Sequence, residues 1–112
     1  MTLKEDTERC LVETEHEYCN LIKFEGTVVG SSLIMPTTEC AYYAGAALLE
    51  PHRGQGLALA SLKISIDSFI ERENTRPTFY YWLYSDQGRP LALALRRYLA
   101  AMGLPFLERA QA

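Results

Sequence analysis

The sequence predicts an α/β domain built on a mixed α+β sheet. Three observations predict it. Strand-like alternation and β-branched residues fill the first half of the chain. Two later stretches, Leu57 to Glu73 and Pro90 to Met102, carry apolar residues at spacings of three and four. An aromatic run, Thr78 to Tyr84, lies between those stretches and completes a strand–helix–strand unit that begins at Ala41.

Each element has its own justification. Residues 1–8 are polar and read as a frayed end or a short helical turn. Residues 9–17 alternate only in part, and the wet positions Glu13, Glu15 and Glu17 favour an edge strand. Tyr18 to Phe24 and Thr27 to Met35 flank Glu25-Gly26 and read as a hairpin. Pro36-Thr37-Thr38 is a loop. Ala41 to Leu49 is an unbroken apolar run that fits either a helix or a buried strand; Gly45 within it and Pro51 after it count against a long helix.

The first helix has a stripe of Leu59, Leu62, Ile66, Phe69 and Ile70, with Lys63, Asp67, Glu71 and Arg72 away from it. Asn74, Thr75 and Pro77 end it. Pro90 suits the first turn of the second helix, whose stripe is Leu91, Ala94, Leu95, Tyr98, Leu99 and Met102. Gly103 fits the position just past its end, and Pro105 blocks continuation. The strands at Ala41–Leu49 and Thr78–Tyr84 are expected to be parallel, joined by a right-handed crossover.

Composition bounds the function. The 112 residues fit one domain, 1–112. They are 48% hydrophobic and 22% charged, ordinary for a globular chain. A net charge of -3 and a pI near 5.3 argue against nucleic-acid binding, which favours a basic stripe. Such a surface tolerates cationic partners such as amines or lysine side chains. Cys10, Cys19 and Cys40 form no metal-ligand spacing with one another or with His16 and His52, so no metal is expected. Scattered thiols in odd number read as reduced and cytoplasmic. No apolar stretch reaches membrane-spanning length, and the polar start is not a signal peptide.

The chemistry centres on Arg53-Gly54-Gln55-Gly56-Leu57-Ala58, between a strand and a helix. A helix start leaves several backbone N–H groups free to bind an anion, and the helix dipole assists. Gly54 and Gly56 let backbone approach a phosphate closely, and Arg53 adds charge. A turn that needs glycines for positive φ, with a solvated Arg53, is the plain alternative. The strand before the loop and the amphipathic helix after it favour the anion site.

This loop resembles the cofactor signature of the GNAT superfamily of N-acetyltransferases, Gln/Arg-x-x-Gly-x-Gly/Ala, through Arg53-x-x-Gly56-x-Ala58. The wider string Pro51-His52-Arg53-Gly54-Gln55-Gly56-Leu57 resembles members that read Pro-x-x-Arg-Gly-x-Gly-Leu, with one residue rather than two between Pro51 and Arg53. The resemblance extends over about residues 28–106. It implies a GNAT-like acyl-CoA N-acyltransferase fold and acetyl-CoA as co-substrate. Backbone amides from Gln55 to Ala58 would bind the pyrophosphate, and the strand ending at Leu48-Leu49 would hydrogen-bond the pantetheine arm. Two departures stand out. Only 52 residues precede Arg53, so the family's N-terminal helical region is expected to be short or missing. Many members also carry a tyrosine four residues before a Gly-Phe pair; here the pair is Gly103-Leu104, Leu99 takes that spacing, and Tyr98 lies one residue earlier.

Acetyl transfer needs a base for the amine and an acid for the departing thiolate. Tyr98 is the candidate acid, with Tyr84 and Tyr81 behind it; all three also read as core aromatics. Glu39 and Glu50, at the two ends of the strand entering the loop, are candidate bases, and solvated carboxylates otherwise. His52 adjoins the loop. His16 among Glu13, Glu15 and Glu17 could attract a cation, though a charged edge strand explains that cluster equally. Arg96 and Arg97 read either as cofactor-phosphate contacts or as a solvated helix face. Cys19 and Cys40 have no activating histidine by sequence.

The expected function is an N-acetyltransferase acting on an amine of a small molecule or a protein, with no membrane partner. A non-catalytic domain that binds acyl-CoA or a protein is the alternative. A third reading is one half of a larger enzyme completed by a second copy. A homodimer is one expectation, because a sheet without N-terminal helices leaves an edge near residues 9–24, and apolar surface at Thr78–Tyr84 and Leu104–Leu107, to be covered; residues 1–17 folding back as a short helix over the sheet, leaving a monomer, is the alternative.

Overall fold

The structure is a computed structural model that describes residues 10–16, 18–37, 40–54, 56–73, 77–81 and 88–108. Its strands are β1 (Cys10–His16), β2 (Cys19–Phe24), β3 (Thr27–Pro36), β4 (Cys40–Leu48), β5 (Thr78–Tyr81) and β6 (Phe106–Glu108). Its helices are α1 (Leu57–Glu73) and α2 (Arg89–Ala101), and a 3-10 turn, Glu50–His52, precedes α1. The strands form one sheet in the order β1-β2-β3-β4-β5-β6. The first four are antiparallel, and β4, β5 and β6 run parallel.

Local chemistry accounts for most boundaries. Glu25 and Gly26 both have positive φ, at 50° and 82°, which matches the right-handed twist of the β2–β3 hairpin. Helix α1 begins and ends at the residues its apolar stripe predicts. Helix α2 ends in a Schellman arrangement: Leu104 N–H donates to Leu99 O at 2.9 Å and Gly103 N–H to Ala100 O at 2.9 Å. Gly103, with φ of 73°, takes the left-handed position this requires.

The expected parallel pairing appears as Cys40–Tyr43 against Thr78–Tyr81. Residues 82–84, the rest of the predicted aromatic strand, lie outside the described residues. The segment after α2 corrects an expectation. It is not simply spare apolar surface, because Phe106–Glu108 adds a sixth strand and Leu104 and Phe106 are buried; Pro105 and Leu107, the latter at 47% exposure, stay open. A strand this short has no pattern of its own and is held by pairing with Phe79–Tyr81 and by the bond from Phe79 N–H to Pro105 O.

Both helices lie on one face of the sheet. Leu62, Ile66 and Phe69 of α1 and Ala92, Leu95 and Leu99 of α2 share a core with Ile34, Tyr43, Phe79 and Phe106 of the strands. Burying such side chains stabilises by roughly 1.5–3 kcal/mol each. A second cluster, Val12, Ile22, Val29 and Leu57, carries the core to the start of α1.

Between these clusters lies a polar layer that hydrophobic periodicity does not reveal. Asn20 Nδ2 donates to Ser61 O at 3.0 Å and Ser65 Oγ at 2.9 Å, and its Oδ1 accepts from Thr14 Oγ1. Ser32 and Ser61 hydroxyls are 2.6 Å apart. These buried groups satisfy one another, as burial demands. The Tyr18 hydroxyl is buried without a hydrogen-bond partner among the described residues.

Candidate functional site

Strand β4 ends at the site, and its course is set by a bulge. Leu33 pairs with Gly45 and Ile34 with Tyr43, so Ala44 is an extra residue on β4. Gly45 absorbs the bend at φ of 143°. Beyond Leu48 the chain stays attached to β3, because Leu49 N–H donates to Val29 O at 2.8 Å. The 3-10 turn follows, with His52 N–H on Leu49 O at 2.9 Å and Arg53 N–H on Glu50 O at 3.1 Å. The His52 ring packs on Phe24, centroids 4.9 Å apart.

Arg53 folds back on the strand it has just left. Its Nε donates to Leu48 O at 2.8 Å. That bond ties the guanidinium of this exposed residue to the strand end. Gly54 and Gly56 then take φ of 78° and 77°, and a Cβ on either would meet no atom within 4 Å. The glycines are therefore set by backbone conformation, and the space beside them is open.

The first helical bond of α1 runs from Ala60 N–H to Gly56 O at 3.0 Å. The N–H groups of Leu57, Ala58 and Leu59 precede it. The first turn, Leu57-Ala58-Leu59-Ala60, carries no carboxylate to compete for them. The positive end of the helix dipole and Arg53 thus meet at one point.

A groove of about 440 Å³ opens at this point. One wall is β4, at Ala46, Ala47 and Leu48. The second is the loop and the start of α1, and the third is the start of α2, at Pro90, Leu91 and Ala94. Small and apolar side chains make up most of it, and Arg53 is its charged residue. Such a groove suits a slender apolar arm that ends in an anion.

The sequence candidates separate in space. Leu48, Arg53, Gly54, Gly56, Leu57 and Ala58 all line the groove. Leu49 projects into solvent, 57% exposed, on the far side of the strand end. Gln55, Glu39 and Tyr84 lie outside the described residues. Glu50 is exposed on the 3-10 turn and does not line the groove.

Tyr98 is placed elsewhere, on the flank of α2 that meets α1. Its hydroxyl donates to Asp67 Oδ1, and Lys63 Nζ sits 4.8 Å from its ring centre. Desolvation and the Asp67 carboxylate push its phenol up to about 12. Tyr81 faces the core, with its hydroxyl accepting from Arg96.

Gly30 belongs to the site, although nothing in the sequence marks it. It pairs with Leu48, and a Cβ there would come within 2.5 Å of Ala47 O. Among the described residues no group of His, Cys, Asp and Glu could hold a metal ion. No helix among them is long and apolar enough to cross a membrane.

No protein-family model matches the chain, and neither a curated protein nor a solved structure matches it.

Proposed function

We propose that this protein is an acetyl-CoA-dependent N-acetyltransferase with a GNAT-like fold. The observation that carries the proposal is the apolar groove that ends at the N-terminus of α1 beside Arg53. In this reading the pyrophosphate lies against residues 53–58 and the pantetheine arm runs along Ala46–Leu48. The β4 bulge, the parallel β4–β5 pair and the glycine loop between them all support it.

The reaction is direct transfer. An unprotonated amine of a small molecule or protein attacks the thioester carbonyl carbon. The C–S bond breaks, the amide forms, and the departing thiolate takes up a proton while the amine nitrogen loses one.

A second reading, a non-catalytic acyl-CoA-binding domain, has one observation in its favour. Tyr98, the candidate acid, gives its hydrogen to Asp67 and lies off the groove.

Calorimetry with acetyl-CoA tests the shared part of both readings, and thiol release with a panel of amines separates them. Binding with turnover supports the transferase, and binding without turnover on any amine supports the second reading. An absence of heat and of thermal shift at about 1 mM acetyl-CoA would sink both.

A further inference from the structure

The end of β4 has a second hollow on the sheet face opposite the helices. It measures about 460 Å³ and is bordered by Leu21, Val28, Ser31, Ala47, Leu49 and Arg53. Two of the most exposed large apolar side chains of the described residues, Val28 at 47% and Leu49 at 57%, stand at its rim. Arg53 lines both this hollow and the helix-side groove, because its guanidinium is held at the strand end by Leu48 O. The two cavities therefore adjoin at one cation and share Ala47, Leu48 and Arg53 in their walls.

We propose that this hollow holds the adenosine end of the donor, which drapes over the strand end with its pyrophosphate at the pivot. The proposal rests on the acetyl-CoA reading above. The pantetheine arm fills the helix-side groove, which α2 walls at Pro90, Leu91 and Ala94. Adenine is flat and largely apolar, and it covers Val28 and Leu49, whose exposure to water is otherwise unfavourable. The fixed guanidinium of Arg53 offers a planar cation for it to stack on. Ala47 and Ser31, both with short side chains, border the hollow.

The test compares two donors on the full chain by calorimetry: acetyl-CoA and acetyl-4′-phosphopantetheine, which lacks adenosine, the second phosphate of the pyrophosphate and the 3′-phosphate. Wild-type protein should bind acetyl-CoA about tenfold more tightly. The double substitution Val28→Ser with Leu49→Ser should weaken acetyl-CoA by about tenfold and leave acetyl-4′-phosphopantetheine within about twofold. Both side chains are exposed, and circular dichroism checks that the variant is folded. Equal affinity of the two donors for wild-type protein overturns the proposal, and that comparison needs no variant. Equal losses for both donors, or no loss for either, in the folded variant also overturn it. Wild-type protein that binds neither donor instead brings down the acetyl-CoA reading, a separate and recognisable result.

Discussion

Gly30 and Leu48 lie opposite each other across β3 and β4, so close that a Cβ on Gly30 would come within 2.5 Å of Leu48 Cδ1. The contact places the carbonyl of Leu48, and that carbonyl holds Arg53. A glycine with no visible role in the sequence thus sets the position of the cation at the groove.

Gly30→Ala should therefore act on both stability and the site. Overpacking of this kind costs roughly 1–3 kcal/mol. Urea unfolding should register that loss, and acetyl-CoA should bind more weakly as Leu48 and Arg53 shift. An alanine variant with wild-type stability and affinity would mean that β3 and β4 can separate freely.

Gly56→Val should abolish donor binding while the domain stays folded. Its φ of 77° is poorly suited to a β-branched residue, at a cost of roughly 1–2 kcal/mol. The open space beside it, where a phosphate would approach the helix N–H groups, would be filled. Calorimetry with acetyl-CoA is the measurement, with circular dichroism as the check on folding. Unchanged affinity would move the anion away from this loop.

The buried polar layer predicts two opposite effects from conservative changes. Asn20→Ala takes the Asn20 donor from the buried Ser65 hydroxyl, while Ser61 keeps its bond to Ser32, and should cost roughly 1–3 kcal/mol. Tyr18→Phe removes a buried hydroxyl without a partner among the described residues and should stabilise by about 1 kcal/mol. Urea midpoints of the two variants should move in opposite directions. A loss in Tyr18→Phe would mean that its hydroxyl is satisfied in solution.

Tyr98→Phe distinguishes catalysis from structure. A general acid removed in this way lowers turnover by roughly 10²–10⁴-fold. Because the hydroxyl is committed to Asp67, we expect turnover to change less than about threefold. The raised phenol favours the protonated form in the folded state. Its stabilisation is present below the ordinary value of 10.0 and is lost as pH rises through about 12. Stability should fall over that window in the wild type and fall less steeply in Tyr98→Phe, as urea midpoints at pH 9 and above will record.

Local signals determined much of this protein. The spacing of Leu62, Ile66 and Phe69, the Glu25-Gly26 turn and the Gly103 cap each specify an element, because each depends on residues a few positions apart. The loop from Arg53 to Ala58 was legible for the same reason: its glycines directly precede a helix start. Tertiary structure decided the rest. Phe106–Glu108 is a strand only because β5 lies beside it, and Asn20 reaches Ser61 and Ser65 only because α1 packs on β2. The stripe of α2 put Tyr98 near the core without saying that its neighbour would be Asp67 of α1. Gly30 matters only because β4 presses against it. Sequence periodicity encodes which face of an element is buried, whereas the partner on that face comes from segments tens of residues away and is fixed only when the chain has packed.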